Sequence, residues 1–319
     1  MTIRRITLPR SSFSRRAAMM GGGAGLMGLG LAACGSSDDG GSGSGSDGGS
    51  GGGGAGGTIK LGYIASWSDG LSMAYLLDNR LAAMGFEVEH TQISDAGLLY
   101  AGLSEGDVDI NPSGWPEVTH KAYMDEYGDK IEDLDAWYEG AKLNLSVPGY
   151  VDISSIEELV GQGDRFGNRI VGIEPGAGLT GATQDSVMPE YGLDEDYELI
   201  TSSTPAMLTE LGSAIDAEED IVVTLWTPFW ANSTYDVKAL EDSKGAFGEA
   251  EALHILGRQG FAEDFPEAAD YLGQIKISDE LYNDLEDKVV NEFGEGKEAE
   301  AVEAWLEENP DVVPAPPEG

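Results

Sequence analysis

From Thr58 onward, short apolar runs alternate with stretches of helical spacing, a pattern that restricts the chain to parallel strands joined by helical crossovers. Thr58 to Ser66 reads as a strand, and Leu71, Ala74, Leu77, Leu81 and Met84 form a helical stripe ended by Gly85. Phe86 to Ile93 alternates as a second strand, Leu98 to Leu103 is a short helix, Val108 to Ile110 a third strand, and Pro116 to Tyr127 an amphipathic helix. The middle of the chain repeats the theme. Ser154-Ser155-Ile156-Glu157 matches a capping box opening a helix, Arg169 to Ile173 is a strand, and Gly178 to Glu190 a helix. Glu198 to Thr201 is a strand, Thr204-Pro205 starts a helix through Ile215, and Ile221 to Leu225 is the next strand. Leu253 to Gly257 reads as a strand returning to the first lobe, and helices near 266–272, 279–293 and 297–307 finish the chain. The expected division is a leader over 1–33, a tether over 34–57, one lobe over 58–147, a second over 148–249, a return to the first over 250–310, and a tail over 311–319. Crossings near Pro148 and Ala250 would form a hinge. No period typical of repeat folds is present.

The leader carries Arg4, Arg5, Arg10, Arg15 and Arg16 ahead of a small and apolar stretch that ends in Leu31-Ala32-Ala33-Cys34. That ending resembles the lipobox of bacterial lipoproteins, and Ser14-Arg15-Arg16 resembles a degenerate twin-arginine export signal. A membrane-spanning helix is the alternative, but the stretch is Gly-rich and shorter than the roughly 20 residues a span needs. The expectation is export, lipidation at Cys34 and residence on the extracytoplasmic face of the membrane. Cys34 is the single cysteine, so a lipidated chain has no thiol, disulfide or thiolate metal site in its folded part. Gly35 to Gly57 is almost wholly Gly, Ser and Asp, a flexible tether with a reach of roughly 25 Å. The chain holds 58 acidic against 18 basic residues, for a net charge of −40, and five of the basic ones lie in the leader. Nucleic acid and anionic surfaces are therefore poor partners, and no nucleic-acid partner is expected. The acids are spread along the chain as a solvated surface; adaptation to a salty exterior, where screening lowers self-repulsion, is the more specific form of that reading.

Three tryptophans, Trp67, Trp115 and Trp226, each stand just past an apolar run: Ile59 to Ile64, Val108 to Ile110, and Ile221 to Leu225. In open α/β sheets ligands bind outside the carboxyl ends of the strands, so three indoles there suggest an aromatic-walled pocket. Uncharged aromatic walls suit a bulky organic cation held by cation–π attraction. Trp137 and Trp305 read as core, and Trp230 as packing.

Gly176-Ala177-Gly178-Leu179-Thr180-Gly181 matches the dinucleotide fingerprint Gly-x-Gly-x-x-Gly after a strand and before a helix. Its mid-chain position, the stiff Pro175 and the lack of an acid closing the next strand argue against NAD, and no cofactor is expected. The glycines either permit a tight turn or leave the N–H groups of Gly178 and Leu179 free at a helix N-terminus, where a carboxylate fits as well as a phosphate. His120 either caps its helix or donates to the same carboxylate. His90 and His254 show no metal-ligand spacing, and no nucleophile has a base beside it, so neither a metal site nor catalysis is expected.

The residues that carry a resemblance are Ser113-Gly114-Trp115 with Thr119-His120-Lys121-Ala122-Tyr123, Gly172-Ile173-Glu174-Pro175-Gly176-Ala177-Gly178, and Val222-Val223-Thr224-Leu225-Trp226-Thr227-Pro228. Tyr127-Gly128-Asp129-Lys130 and the spacing of Leu103, Gly106 and Asp109 agree. From Ile59 to about Val290 the chain resembles the glycine betaine and quaternary-ammonium binding proteins of ABC importers. The resemblance implies an α/β, bilobed type II periplasmic-binding-protein fold with a hinge, closing over its ligand. It implies a trimethylammonium head boxed by Trp67, Trp115 and Trp226, and a carboxylate held by the N–H groups of Gly178 and Leu179 and by His120. The expected protein is a monomeric, lipid-anchored receptor that hands glycine betaine to an ABC permease. Choline, carnitine, proline betaine and sulfonium analogues stay open as ligands, and an extracellular hydrolase of choline compounds is the reading from another class. Two departures bear on the ligand. Family members often carry His where Phe229 stands, and Glu117, were it to face the cleft, would repel a carboxylate and favour choline.

Overall fold

The structure, a computed structural model, describes residues 56–317. The leader, the twin-arginine match, Cys34 and all but the last two residues of the tether lie outside the described residues.

Thr58–Tyr63 (β1) buries Ile59, Leu61 and Tyr63 and pairs in parallel with Glu87–Gln92 (β2) and Ile110–Gly114 (β3). The crossover between β1 and β2 is the helix Ser68–Ala83 (α1), whose Met73, Leu76, Leu77 and Leu81 are fully buried against the sheet. Ala96–Glu105 (α2) starts where the Asp95 carboxylate accepts the N–H groups of Gly97 and Leu98, and stops at Gly106, whose φ of 79° places it in the left-handed region. Asp109 then ties three strands together, accepting the Lys60 N–H at 2.8 Å and Arg258 Nε at 2.7 Å.

The strand that organises the molecule is Ile131–Pro148 (β4), 18 residues long. Its first part pairs antiparallel with Glu251–Arg258 (β9), from Ile131 opposite Arg258 to Ala141 opposite Glu251. Its later part pairs antiparallel with Val223–Thr227 (β7) and Val237–Ala239 (β8). Beyond β7 lie Arg169–Val171 (β5) and Glu198–Ile200 (β6), in parallel. The order is β2-β1-β3-β9-β4-β7-β5-β6, with β8 on β4. One strand therefore serves two halves of the sheet, and the change of partner falls between Ala141 and Lys142.

Several expectations need correction. The sheet is mixed, because β4 and β9 run against their neighbours. Trp226 lies within β7 and not past its end, since the strand continues to Thr227. The segment from Pro116 is first a set of turns, and the helix is only Lys121–Tyr127 (α3). The capping-box match opens a 3-10 turn, Ile156–Leu159, in which Glu158 and not Glu157 accepts from Ser154 and Ser155. The helix from Gly178 is three segments: Gly178–Ala182 (α4), a π-helical turn Thr183–Val187, and Met188–Tyr191.

Trp137 and Trp305 are core residues, as expected. Glu286 is fully buried, its Oε1 accepts the Tyr282 hydroxyl at 3.1 Å, and its Oε2 has no hydrogen-bond partner among the described residues. Burial pushes its pKa from 4.5 up to about 8, because a charge there would be stripped of water. Between those values the unfolded chain has released the proton and the folded chain still holds it. This stabilising contribution is therefore complete below about pH 4.5 and lost as pH rises through about 8. Glu286→Gln, which cannot ionise, is expected to gain thermal midpoint relative to wild type between pH 5 and pH 8. A difference that stays constant with pH would show that Glu286 does not titrate in this way.

Candidate functional site

The turn that follows β1, closed by the Trp67 N–H donating to Ile64 O at 3.0 Å, delivers Trp67 to the mouth of the sheet just before α1. Trp115 leaves the end of β3, and Trp226 comes from β7 in the other half. The three indoles line one cavity, whose empty space, open solvent included, is about 330 Å³. His120, Gly178 and Leu179 line it too, so the structure brings together all six ligand-site residues singled out in the sequence.

Trp226 is backed by Phe229, with ring centroids 3.9 Å apart and planes 18° from parallel. Phe229 is buried behind the indole and does not line the cavity. Trp67 stacks toward His120 at 6.0 Å and 16°. Asp69, which sequence reasoning missed, stands in the first turn of α1 and accepts Ser113 Oγ at 2.6 Å and Trp115 Nε1 at 3.1 Å. Burial raises its pKa against the pull of those hydrogen bonds. Among the described residues no lysine, arginine or histidine pairs with it. A lone carboxylate between indoles attracts a cation, and the cation in turn favours its ionised form.

His120 is buried, and that burial lowers its pKa from 6.5 to about 3, so the ring is neutral at ordinary pH. Its Nδ1 faces the backbone N–H of Trp115 at 3.3 Å and the Tyr100 hydroxyl at 3.0 Å. A backbone N–H can only donate, so Nδ1 accepts and the proton sits on Nε2, where it serves a carboxylate without adding charge. The loop ahead of His120 is held from β9, where Glu251 accepts the N–H groups of Val118 and Thr119, each at 3.0 Å. Glu117 points elsewhere: it accepts the Ala252 N–H at 2.8 Å and meets His254 at 3.3 Å. It does not line the cavity, which removes the expectation that it repels a carboxylate there.

The opposite wall is the loop leading into α4. The first N–H groups of an α-helix have no partner inside it, and Gly178 and Leu179 occupy those positions. A side chain at Gly178 is impossible, because its Cβ would lie 2.1 Å from the Thr119 carbonyl oxygen; at Gly176 it would lie 2.0 Å from Asp95. The two halves of the sheet meet here, with the Tyr123 hydroxyl donating to Gly176 O at 2.8 Å. Leu143, Ile173, Ala177 and Thr119 complete the lining. Thr119 stands beside His120 and was within reach of the sequence reading; Leu143, on β4, gave no sequence signal. Among the described residues no group of His, Cys, Asp and Glu could hold a metal ion.

A profile of the substrate binding domain of ABC-type glycine betaine transport systems matches residues 57–308. The glycine betaine, L-proline ABC transporter binding protein ProX of Borrelia burgdorferi superimposes with a TM-score of 0.75 at 36% identity, over 81% of this chain and 97% of that one. Lactococcal OpuAC, in a closed conformation complexed with glycine betaine, gives a TM-score of 0.74 at 30% identity, over 80% and 97%. The glycine betaine/carnitine transport binding protein GbuC of Listeria monocytogenes is 38% identical over 155 residues, 47% of this chain, and the match spans 49% of that relative's length. The fold is the mixed α/β type II periplasmic-binding-protein fold of those structures.

His120, which lines the cavity, and His254, which does not, should separate by titration. His254 loses some basicity to burial, but its contacts with Asp133 at 2.8 Å and Glu117 at 3.3 Å outweigh that and raise its pKa above 6.5. In a proton NMR titration from pH 5 to pH 8, the His254 ring should shift and the His120 ring should not. A His120 midpoint inside that range would contradict the neutral donor.

Proposed function

The chain belongs to the family of substrate binding domains of ABC-type glycine betaine transport systems, and from that premise we propose that it captures glycine betaine, or a close quaternary-ammonium relative, for delivery to an ABC permease. The observation that carries this reading is the convergence of three indoles, one uncompensated carboxylate and one neutral imidazole on a single small cavity. The trimethylammonium head sits among Trp67, Trp115 and Trp226, with Asp69 supplying the opposite charge. The carboxylate tail takes the N–H groups of Gly178 and Leu179 and the Nε2–H of His120. Desolvated cation–π contacts contribute about 2 kcal/mol each, so three supply much of the roughly 8 kcal/mol of a micromolar complex.

The two halves act as lobes, joined near Ala250 and on β4 where it changes partner between Ala141 and Lys142, several residues before the crossing expected near Pro148. Trp67 and Trp115 belong to one lobe and Trp226 to the other, so closure assembles the box, and a ligand touching both lobes favours the closed form. Cys34 anchors the monomeric receptor by lipid on the extracytoplasmic face, and the Gly/Ser/Asp tether spaces it from the bilayer. The protein is a carrier and not a hydrolase: recovery of unchanged ligand after long incubation is the expected result.

Titration calorimetry with glycine betaine and choline tests the reading. Glycine betaine should bind more tightly than choline, and equal affinity would remove the carboxylate clamp. Trp226→Ala should abolish binding while leaving the fold intact. Asp69→Asn should weaken it on the order of tenfold, the loss of one charge contact. Wild-type affinity in Trp226→Ala would defeat the cage.

A further inference from the structure

Glu174 lies on the loop after β5, outside the cavity lining, and its side chain is half-buried. Each of its carboxylate oxygens receives one donor from each half of the molecule. Oε1 accepts the Thr204 N–H at 3.0 Å from its own half and Ser66 Oγ at 3.0 Å from the other. Oε2 accepts Thr204 Oγ1 at 2.9 Å from its own half and Trp67 Nε1 at 3.1 Å from the other. All four donors are neutral, and hydrogen bonds to an ionised acceptor are roughly twice as strong as neutral ones.

We propose that Glu174 is a closure latch and a positioning residue: braced by Thr204, its carboxylate takes hold of Ser66 and the Trp67 indole only when the two halves meet. The inference rests on the ligand reading above for Trp67's role, and it extends that reading from what the cage binds to how occupancy is converted into closure. In an open form Ser66 and Trp67 move away with their own half, and the carboxylate keeps only Thr204 and water. The Trp67 ring is therefore fixed in the same step that ties the halves together. A cation pressed on the face of that ring stabilises the orientation the latch requires, so ligand and latch favour one another. Glutamine cannot substitute. It replaces one acceptor oxygen with an N–H₂ group turned toward two donors.

Two measurements on the full chain test this, with glycine betaine and choline as probes. In ¹H–¹⁵N spectra the Trp67 indole resonance, identified by its loss in Trp67→Phe, should be shifted and protected from exchange in wild type at saturating probe. It should move to the position of a free indole in Glu174→Gln and partly return in Glu174→Asp. In stopped-flow tryptophan fluorescence, Glu174→Gln and Ser66→Ala should each raise the dissociation rate on the order of tenfold with little change in the association rate. Thermal midpoints of the variants report whether the fold persists. If wild type binds neither probe, the ligand reading fails, and the indole spectrum still decides the latch. A Trp67 indole resonance in the same position in wild type and Glu174→Gln, with and without probe, overturns the latch. Dissociation rates unchanged in both variants, in a wild type that binds, overturn it as well.

Discussion

The cleft depends on where its indole N–H groups are spent. A buried N–H without an acceptor costs free energy, and an indole whose edge is hydrogen-bonded to a carboxylate is fixed in orientation with its face left open. Trp115 gives its N–H to Asp69 and Trp67 gives its N–H to Glu174, so two acids set two walls of the box. Trp226 is held differently, by stacking on Phe229. The same arrangement leaves Asp69 without a cationic partner among the described residues, and the cavity therefore has a charge to offer as well as three faces.

The two ends of the cavity are matched to different chemistry by the same physical agent, burial. Removing water from Asp69 makes its charge costly and therefore receptive to a cation. Removing water from His120 keeps it neutral, so the opposite end offers N–H donors without a second charge. A ligand with a quaternary cation at one end and a carboxylate at the other suits both conditions.

Much of this was legible in the sequence, and the omissions have physical reasons. Trp67, Trp115, His120, Gly178 and Leu179 stand at strand ends or helix starts, where local pattern reports position. Trp226 was found for a partly wrong reason, since it lies inside β7. Asp69 and Glu174 were not read as functional, because their indole partners are 46 and 107 residues away in the chain and only the tertiary fold brings them together. β4 escaped for another reason. Its register is broken near Asp135 and Gly140, both with φ of 92°, so no clean alternation runs along its length. With β4 unseen, the antiparallel centre of the sheet could not be inferred, and neither could Leu143.

The central claim is that the three indoles and Asp69 recognise charge and not only shape. Titration calorimetry comparing glycine betaine with 3,3-dimethylbutanoate, which puts a neutral carbon in place of the ammonium nitrogen at nearly the same volume, tests it most directly. The account predicts binding of this carbon analogue, which keeps the carboxylate and lacks the cation, weaker by about a hundredfold or more, the loss of cation–π and Asp69 attraction together. Equal affinity for the two would contradict it and reduce the cavity to a hydrophobic pocket of suitable size.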